Sequence, residues 1–314
     1  MRVFVAGATG AVGVPLVRRL VSEGHQVVAS TRTEAKFPRL RALGAEPVAV
    51  DGLDAAALGE AVARAEPDLI VHQMTALAGT LDLKHFDRTF AVTNRLRIGG
   101  TDALLAAARA AGVRRVVVQS YTGWPNDPTG GPVKTEDDPL DPHPPRAQRE
   151  SLAAIRHLER AVVDAPLDGV VLRYGMLYGP GASDAMIPLM RARRMPIVGD
   201  GGGIWSMTHV EDAAAATVAA LGRGRGVYNI VDDDPAPVRD ILTALAAAVG
   251  AKPPLRVPVW LGRLAAGEVG ASMMTRVRGS SNAKARGELD WAPRWPIWRE
   301  GFRRGLTEPA AAPR

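Results

Sequence analysis

The sequence predicts an α/β protein, a doubly wound parallel sheet with a smaller C-terminal lobe. Three observations carry this. Short, continuously apolar runs alternate with amphipathic helical stretches through the first half of the 314-residue chain. Such runs suit strands covered on both faces, as in parallel sheets. The first run, Met1 to Ala6, passes at once into a glycine-rich turn and then an amphipathic stretch at Val14 to Val21. The composition, 46% hydrophobic and 23% charged, is ordinary for a globular protein with a large core.

The elements run in order along the chain. Gln26 to Ser30 reads as the second strand and Ala35 to Leu43 as a helix ended by Gly44. Pro47 to Val50 is a third strand that stops at Asp51-Gly52. Asp54 is placed to cap a helix running to about Ala65, because its carboxylate can accept from a first-turn amide. Asp68 to His72 is a fourth strand, and a long helical stretch covers roughly 83–111. Val116 to Val118, a helix over about 147–164, and Gly169 to Arg173 come next. Crossovers between such strands are right-handed, so the ligand crevice is expected at the strands' carboxyl ends. In the second half, a helix is expected after Asp212 and a strand at Val227 to Val231. The expected division is 1–174 plus about 204–231 for the sheet domain, and 175–203 plus about 232–314 for the lobe.

Gly7, Gly10 and Gly13 have separate jobs. One permits a tight turn, one lets a pyrophosphate approach the backbone, and one lets the helix pack close to the strand. The free amides at the helix start then face the anion. The strand before and the helix after give this dinucleotide (Rossmann) fingerprint its required context. The fingerprint starts at residue 7, so the first strand is expected to be the N-terminus itself, with no signal peptide. The second strand runs into Ser30-Thr31-Arg32-Thr33 with no acid before Glu34. Two hydroxyls and a guanidinium suit a 2′-phosphate, whereas a carboxylate would repel it. NADP(H) is therefore favoured through Thr31 and Arg32, with NAD(H) as the alternative. Asp51 is placed either for the adenine edge or as a turn residue.

The spacing Gly-x-x-Gly-x-x-Gly with Ala8-Thr9 inside resembles the extended and atypical short-chain dehydrogenase/reductases, the superfamily with the NAD-dependent epimerases and dehydratases. Phe90 to Asn94 with Gly100-Thr101, Leu172 to Gly181, Thr208 to Asp212, and Asn282 to Lys284 with Leu289 to Pro293 extend the likeness along nearly the whole chain. The resemblance implies cofactor contacts from Thr9, Ala11 and Val12, from Gln73, Met74 and Thr75, from Asn94 and Ser120, and from Tyr174, Gly175 and Met176. It also makes the C-terminal lobe a substrate lobe closing over the crevice. A homodimer is an expectation at the family level only.

The likeness breaks at the catalytic centre. The family's Tyr-x-x-x-Lys places a phenol and an ammonium on one helix face. The tyrosines here are 121, 174, 178 and 228, and the residues four further on are Pro125, Tyr178, Ala182 and Asp232. Two alignments put the expected pair on Arg146 and Glu150 or on Ser151 and Ile155; neither supplies a phenol and an ammonium. Tyr121 and Thr122, at the end of the fifth strand, are candidates to hold a reacting oxygen, and Tyr121 to donate a proton. Arg146 is a candidate to stabilise a developing alkoxide. The competing readings are a strand-end aromatic for Tyr121 and a solvated helix-start residue for Arg146. The loop 121–145, with seven prolines and Trp124, is expected to wall the site.

Composition excludes other classes. There are no cysteines, so disulfides, thiolate metal sites and cysteine nucleophiles are ruled out, which fits a cytoplasmic protein. The six histidines form no metal-ligand spacing. The net charge is +6, but the arginines are scattered and only five lysines occur, so no nucleic-acid partner is expected. No apolar stretch reaches the roughly 18 residues of a membrane span. The leading expectation is an NAD(P)-dependent oxidoreductase moving a hydride to or from a small-molecule carbonyl, with a non-standard proton donor. The alternatives are a nucleotide-sugar epimerase or dehydratase and a non-catalytic NADP(H)-binding redox sensor.

Overall fold

The structure, a computed structural model, describes residues 1–77 and 82–306. Seven parallel strands form the central sheet: β1 Arg2–Ala6, β2 Gln26–Thr31, β3 Glu46–Ala49, β4 Leu69–His72, β5 Arg115–Tyr121, β6 Asp168–Tyr174 and β7 Gly226–Ile230. Their order is β7-β6-β5-β4-β1-β2-β3. The direction of strand order reverses between β1 and β4, where doubly wound sheets open a ligand crevice.

Side-chain alternation along the strands builds two cores. Val3, Val5, Val71, Val117, Val170 and Leu172 face one side, in one cluster with residues of α1 Gly13–Ser22, α2 Phe37–Ala42, α8 Val210–Ala219 and α11 Ala283–Glu288. Phe4, Ile70, Val116, Val118 and Val171 face the other, under α3 Ala55–Ala65, α5 Thr101–Ala110 and α6 Arg149–Val163. Asp54 caps α3 as expected, accepting from the Ala57 amide at 3.0 Å.

Two expectations change. The helical stretch of 83–111 begins at Phe86 and is not uniform. α4 Phe86–Arg95 meets α5 through a π-helical turn at Leu96–Gly100. At its end the backbone approaches the β3–α3 turn closely; a Cβ on Gly100 would lie 3.2 Å from the Gly52 carbonyl oxygen. The later helix starts before Asp212, at Val210, because His209 is its cap and accepts from the Glu211 amide at 3.2 Å. Asp212 instead accepts from the amides of Arg294 and Trp295, at 2.7 and 3.0 Å.

The remaining elements build a third core around Tyr178, Met190, Ile197, Trp205, Trp298 and Phe302. They include α7 Met186–Arg191, α9 Val238–Ala248, α10 Val259–Thr275 and α12 Trp298–Arg304. Residues 307–314 of the expected C-terminal lobe lie outside the described residues. No helix among the described residues is long and apolar enough to cross a membrane.

Candidate active site

The glycine loop is shaped by backbone crowding. A Cβ on Gly7, whose φ is +89°, would lie 2.6 Å from the carbonyl of Gln73; one on Gly13 would lie 2.5 Å from the carbonyl oxygen of Gly7. Gly10 is different, since a Cβ there would meet only the Gly7 oxygen, at 3.7 Å. Gly10 is also exposed, so its bareness leaves room for something from outside. α1 has no side-chain cap. Among the described residues, nothing accepts a hydrogen bond from the amides of Ala11, Val12 or Gly13. Open amides, a helix N-terminus and a bare backbone make a cradle that fits a pyrophosphate.

Beside this loop, Ser30 anchors the turn, its hydroxyl accepting from the Gly7 amide at 3.3 Å. Thr31 is buried and Arg32 is exposed just beyond the strand. Lys36 reaches back to donate to the Thr9 hydroxyl at 3.4 Å. Sequence reasoning missed Lys36; the turn after β2 carries it back to the glycine loop, which no local pattern marks. Asp51 is exposed, and one of its oxygens accepts from the Leu53 amide at 3.0 Å, closing a turn.

A small cavity opens at the carboxyl ends of β5 and β6. Tyr121, Thr122, Gly123, Trp124, Met176, Trp205, Ser206, Met273 and Val277 line it. Tyr121 and Trp124 stack with centroids 6.3 Å apart, and Phe86 meets Trp124 edge-on at 5.1 Å. Among the described residues the Tyr121 hydroxyl has no hydrogen-bond partner. Burial pushes its pKa up, while the Arg97 charge pulls the other way. The phenol is therefore neutral near pH 7, a donor rather than a base.

The other candidates part ways. Thr122 also lines the cavity, but its hydroxyl is bonded to Ser280 at 2.6 Å and Asn126 at 3.3 Å. Arg146 does not line the cavity; it is exposed on a short turn, Arg146–Gln148, whose buried side chain is Gln148. Ser120 donates to Glu159 at 2.7 Å, toward α6. Tyr174 is a core residue, because strand alternation sends it to the same face as Val170 and Leu172. Its hydroxyl is held by Gln73 at 2.9 Å and Thr217 at 2.7 Å. Gln73 thus commits its Nε2 to Tyr174 while its buried Oε1 has no partner among the described residues; Met74 is buried against Gly52, and Thr75 is exposed. Asn94 donates to Ser151 at 3.0 Å, and Ser151 in turn donates to Asp87 at 2.6 Å. Ser151 and Ile155 are buried and Glu150 exposed, so neither alignment of the missing dyad finds a replacement. Gly175 is pinned by Thr208, which accepts from its amide at 2.9 Å, and places Met176 on the cavity wall.

Below the strand ends, Glu159 takes a two-point ion pair from Arg173, at 2.8 and 2.6 Å. Arg97, on the π-helical turn, is also buried, with its guanidinium 6.0 Å from the Phe90 centroid. It makes no hydrogen bond or ion pair with any described residue, and its Nη1 is fully enclosed. Burial lowers its pKa to about 10, partly offset by Glu159 and Tyr121, so it stays charged. Burial lowers His72 to about 4, leaving it neutral. Neither Arg97 nor the wall residues Trp205, Ser206 and Val277 were singled out from sequence, because only the tertiary fold brings them together.

Comparison with known proteins identifies the family. The family model described as NAD dependent epimerase/dehydratase family matches residues 3–231. The chain is 41% identical to a 3-diazoavenalumate denitrifying reductase from Streptomyces sp., over 97% of this chain and 100% of the relative. It is 32% identical to a 2-alkyl-3-oxoalkanoate reductase from Stenotrophomonas maltophilia, over 80% of this chain and 76% of that one. Its fold is similar to that of a Thermus thermophilus UDP-glucose 4-epimerase solved with NAD, with a TM-score of 0.76, 24% identity and 98% of each chain covered. The chain belongs to the NAD dependent epimerase/dehydratase family.

Proposed function

We propose that this NAD(P)-dependent oxidoreductase is a ketoreductase, with Tyr121 as proton donor to the substrate oxygen. The observation that carries the reading is the Tyr121 hydroxyl, neutral and without a protein partner in a cavity at the strand ends. A base would need a lowered pKa; this phenol is set up to give a proton, so reduction is the favoured direction. When bound, the reduced nicotinamide supplies the hydride. Gly7, Gly10 and Gly13 with the amides of Ala11 and Val12 would hold its pyrophosphate, and Arg32 with Lys36 a 2′-phosphate, which favours NADP(H). The segments 175–203 and about 232 onward act as the substrate lobe. Trp124, Trp205, Met176, Met273 and Val277 exclude water and suit a flat, apolar ketone. An epimerase ranks lower, since it needs a base this site lacks.

A second reading has its own support in the 41% identical relative, whose name describes loss of nitrogen from a diazo compound. There hydride adds at the carbon that carries the diazonium group, and dinitrogen leaves with the C–N bonding pair. No alkoxide forms, so no proton donor is required, which suits the missing dyad. One experiment separates the two. NADPH oxidation is followed with an aryl ketone, with a 3-oxo ester and with an aryl diazonium salt, for wild type and Tyr121→Phe. Ketone turnover lost in the variant supports the first reading. Turnover with nitrogen release that survives the substitution replaces it with the second.

A further inference from the structure

We infer that Arg97 is the cation that serves Tyr121 in place of the absent lysine, a positioning residue that stabilises the phenolate left when the proton is given up. This rests on the reading of Tyr121 as donor. Arg97 occupies the π-helical turn between α4 and α5, a local distortion that often marks functional positions. A buried guanidinium normally carries a dedicated carboxylate or a full set of hydrogen bonds, because an unpaired buried charge is costly. Arg97 has neither among the described residues, and its Nη1 is enclosed with no acceptor. The nearby carboxylate, Glu159, is already taken at two points by Arg173 and once by Ser120.

Arg97, from the π turn, is the charge that acts on Tyr121. Around Arg97 itself lie Glu159 of α6, which is paired with Arg173 of β6, and the neutral His72 of β4. Arg173 holds Glu159 at two points, so Glu159 offsets the Arg97 charge only in part. An aromatic chain ties it to the cavity: the guanidinium lies over Phe90, Phe90 stacks on Phe86 at 4.2 Å, Phe86 meets Trp124, and Trp124 stacks on Tyr121. These rings keep the surroundings dry, where a cation's effect on a neighbouring anion is larger than in water. In the step itself, hydride adds to the carbonyl carbon, the carbonyl π pair moves to oxygen, and that oxygen takes the Tyr121 proton. The phenolate formed faces the Arg97 charge until solvent returns a proton.

The test uses full-length protein labelled with 3-fluorotyrosine, whose phenol is more acidic than tyrosine's and titrates within reach. The Tyr121 resonance is assigned by its loss in Tyr121→Phe and followed by ¹⁹F NMR against pH, with no substrate needed. In Arg97→Met its titration should move up by about one pH unit or more, and Arg97→Lys should restore most of the shift. Ketone turnover in Arg97→Met should fall about tenfold or more while KM and NADPH affinity stay within about twofold. Met removes an unpaired buried charge, so the variant should melt no lower than wild type. A Tyr121 titration unmoved by Arg97→Met overturns the inference even if Tyr121→Phe abolishes turnover. Full ketone turnover by Tyr121→Phe overturns the donor reading and this inference with it.

Discussion

A Cβ at Gly13 would lie 2.5 Å from the carbonyl oxygen of Gly7. The start of α1 is therefore packed onto the turn that leaves β1, and only a bare Cα fits. Gly13→Ala must push the loop outward. Its NADPH affinity should fall at least tenfold, about 1.4 kcal/mol, with a lower melting temperature as well. Gly10→Ala should separate the two effects, because a Cβ there has 3.7 Å of clearance within the protein. It should melt like wild type and still lose cofactor affinity. Thermal melts with and without NADPH check both.

Lys36 donates to the Thr9 hydroxyl of the glycine loop, and Arg32 is exposed just beyond β2. Arg32→Ala and Lys36→Ala should each weaken NADPH by about 1–3 kcal/mol and leave NADH nearly unchanged, since only a 2′-phosphate would meet these charges. Calorimetric titration with both cofactors is the measurement. Equal losses for the two would place these residues elsewhere in recognition.

Glu159 carries a charge-paired knot between α6 and β6. Removing it leaves Arg173 without its partner in a buried site and deprives Arg97 of its nearby carboxylate. Glu159→Gln should destabilise the protein by about 3–5 kcal/mol. Urea unfolding of this variant against wild type checks the figure. A change below about 1 kcal/mol would mean that water reaches the pair.

Two buried aspartates set an alkaline weakness. Burial raises Asp212 to about 6, against the pull of the Arg294 and Trp295 amides, and raises Asp232 to about 8. Both folded-state values lie above those of an unfolded aspartate, so the folded state binds more protons in between. Stability should therefore fall as pH rises from about 4 to about 8, by at most about 1.4 kcal/mol per pH unit for each group, and level off above. Asp232→Asn should match wild type below about pH 4 and exceed it increasingly up to about pH 8. Melting temperatures across pH 5–9 decide this; a constant offset would contradict it.

Local features are the legible ones. Gly7 to Gly13, the Asp54 cap and the apolar strands depend on neighbours within a few residues, and their bounds differ only slightly in the structure. The family likeness assigns Tyr174 to the cofactor from its place at a strand end. Yet alternation with Val170 and Leu172 points it into the core, a signal present in the sequence itself. Arg97 is hidden differently. A π-helical turn preserves the look of continuous helical sequence while rotating the helix beyond it, so periodicity cannot reveal which way Arg97 faces. Trp205, Ser206 and Val277 reach the cavity only through the packing of separate segments, which no local pattern encodes. Arg146 shows the converse error: alignment by spacing places a charge near the chemistry, and the turn that buries Gln148 leaves it exposed.

Cofactor binding by the purified chain tests the central claim most directly. Calorimetric titration with NADPH and NADH should give one site per chain, micromolar or tighter for NADPH, weaker for NADH, and lost in Gly13→Ala. No association of either dinucleotide at millimolar concentration would contradict the account at its root.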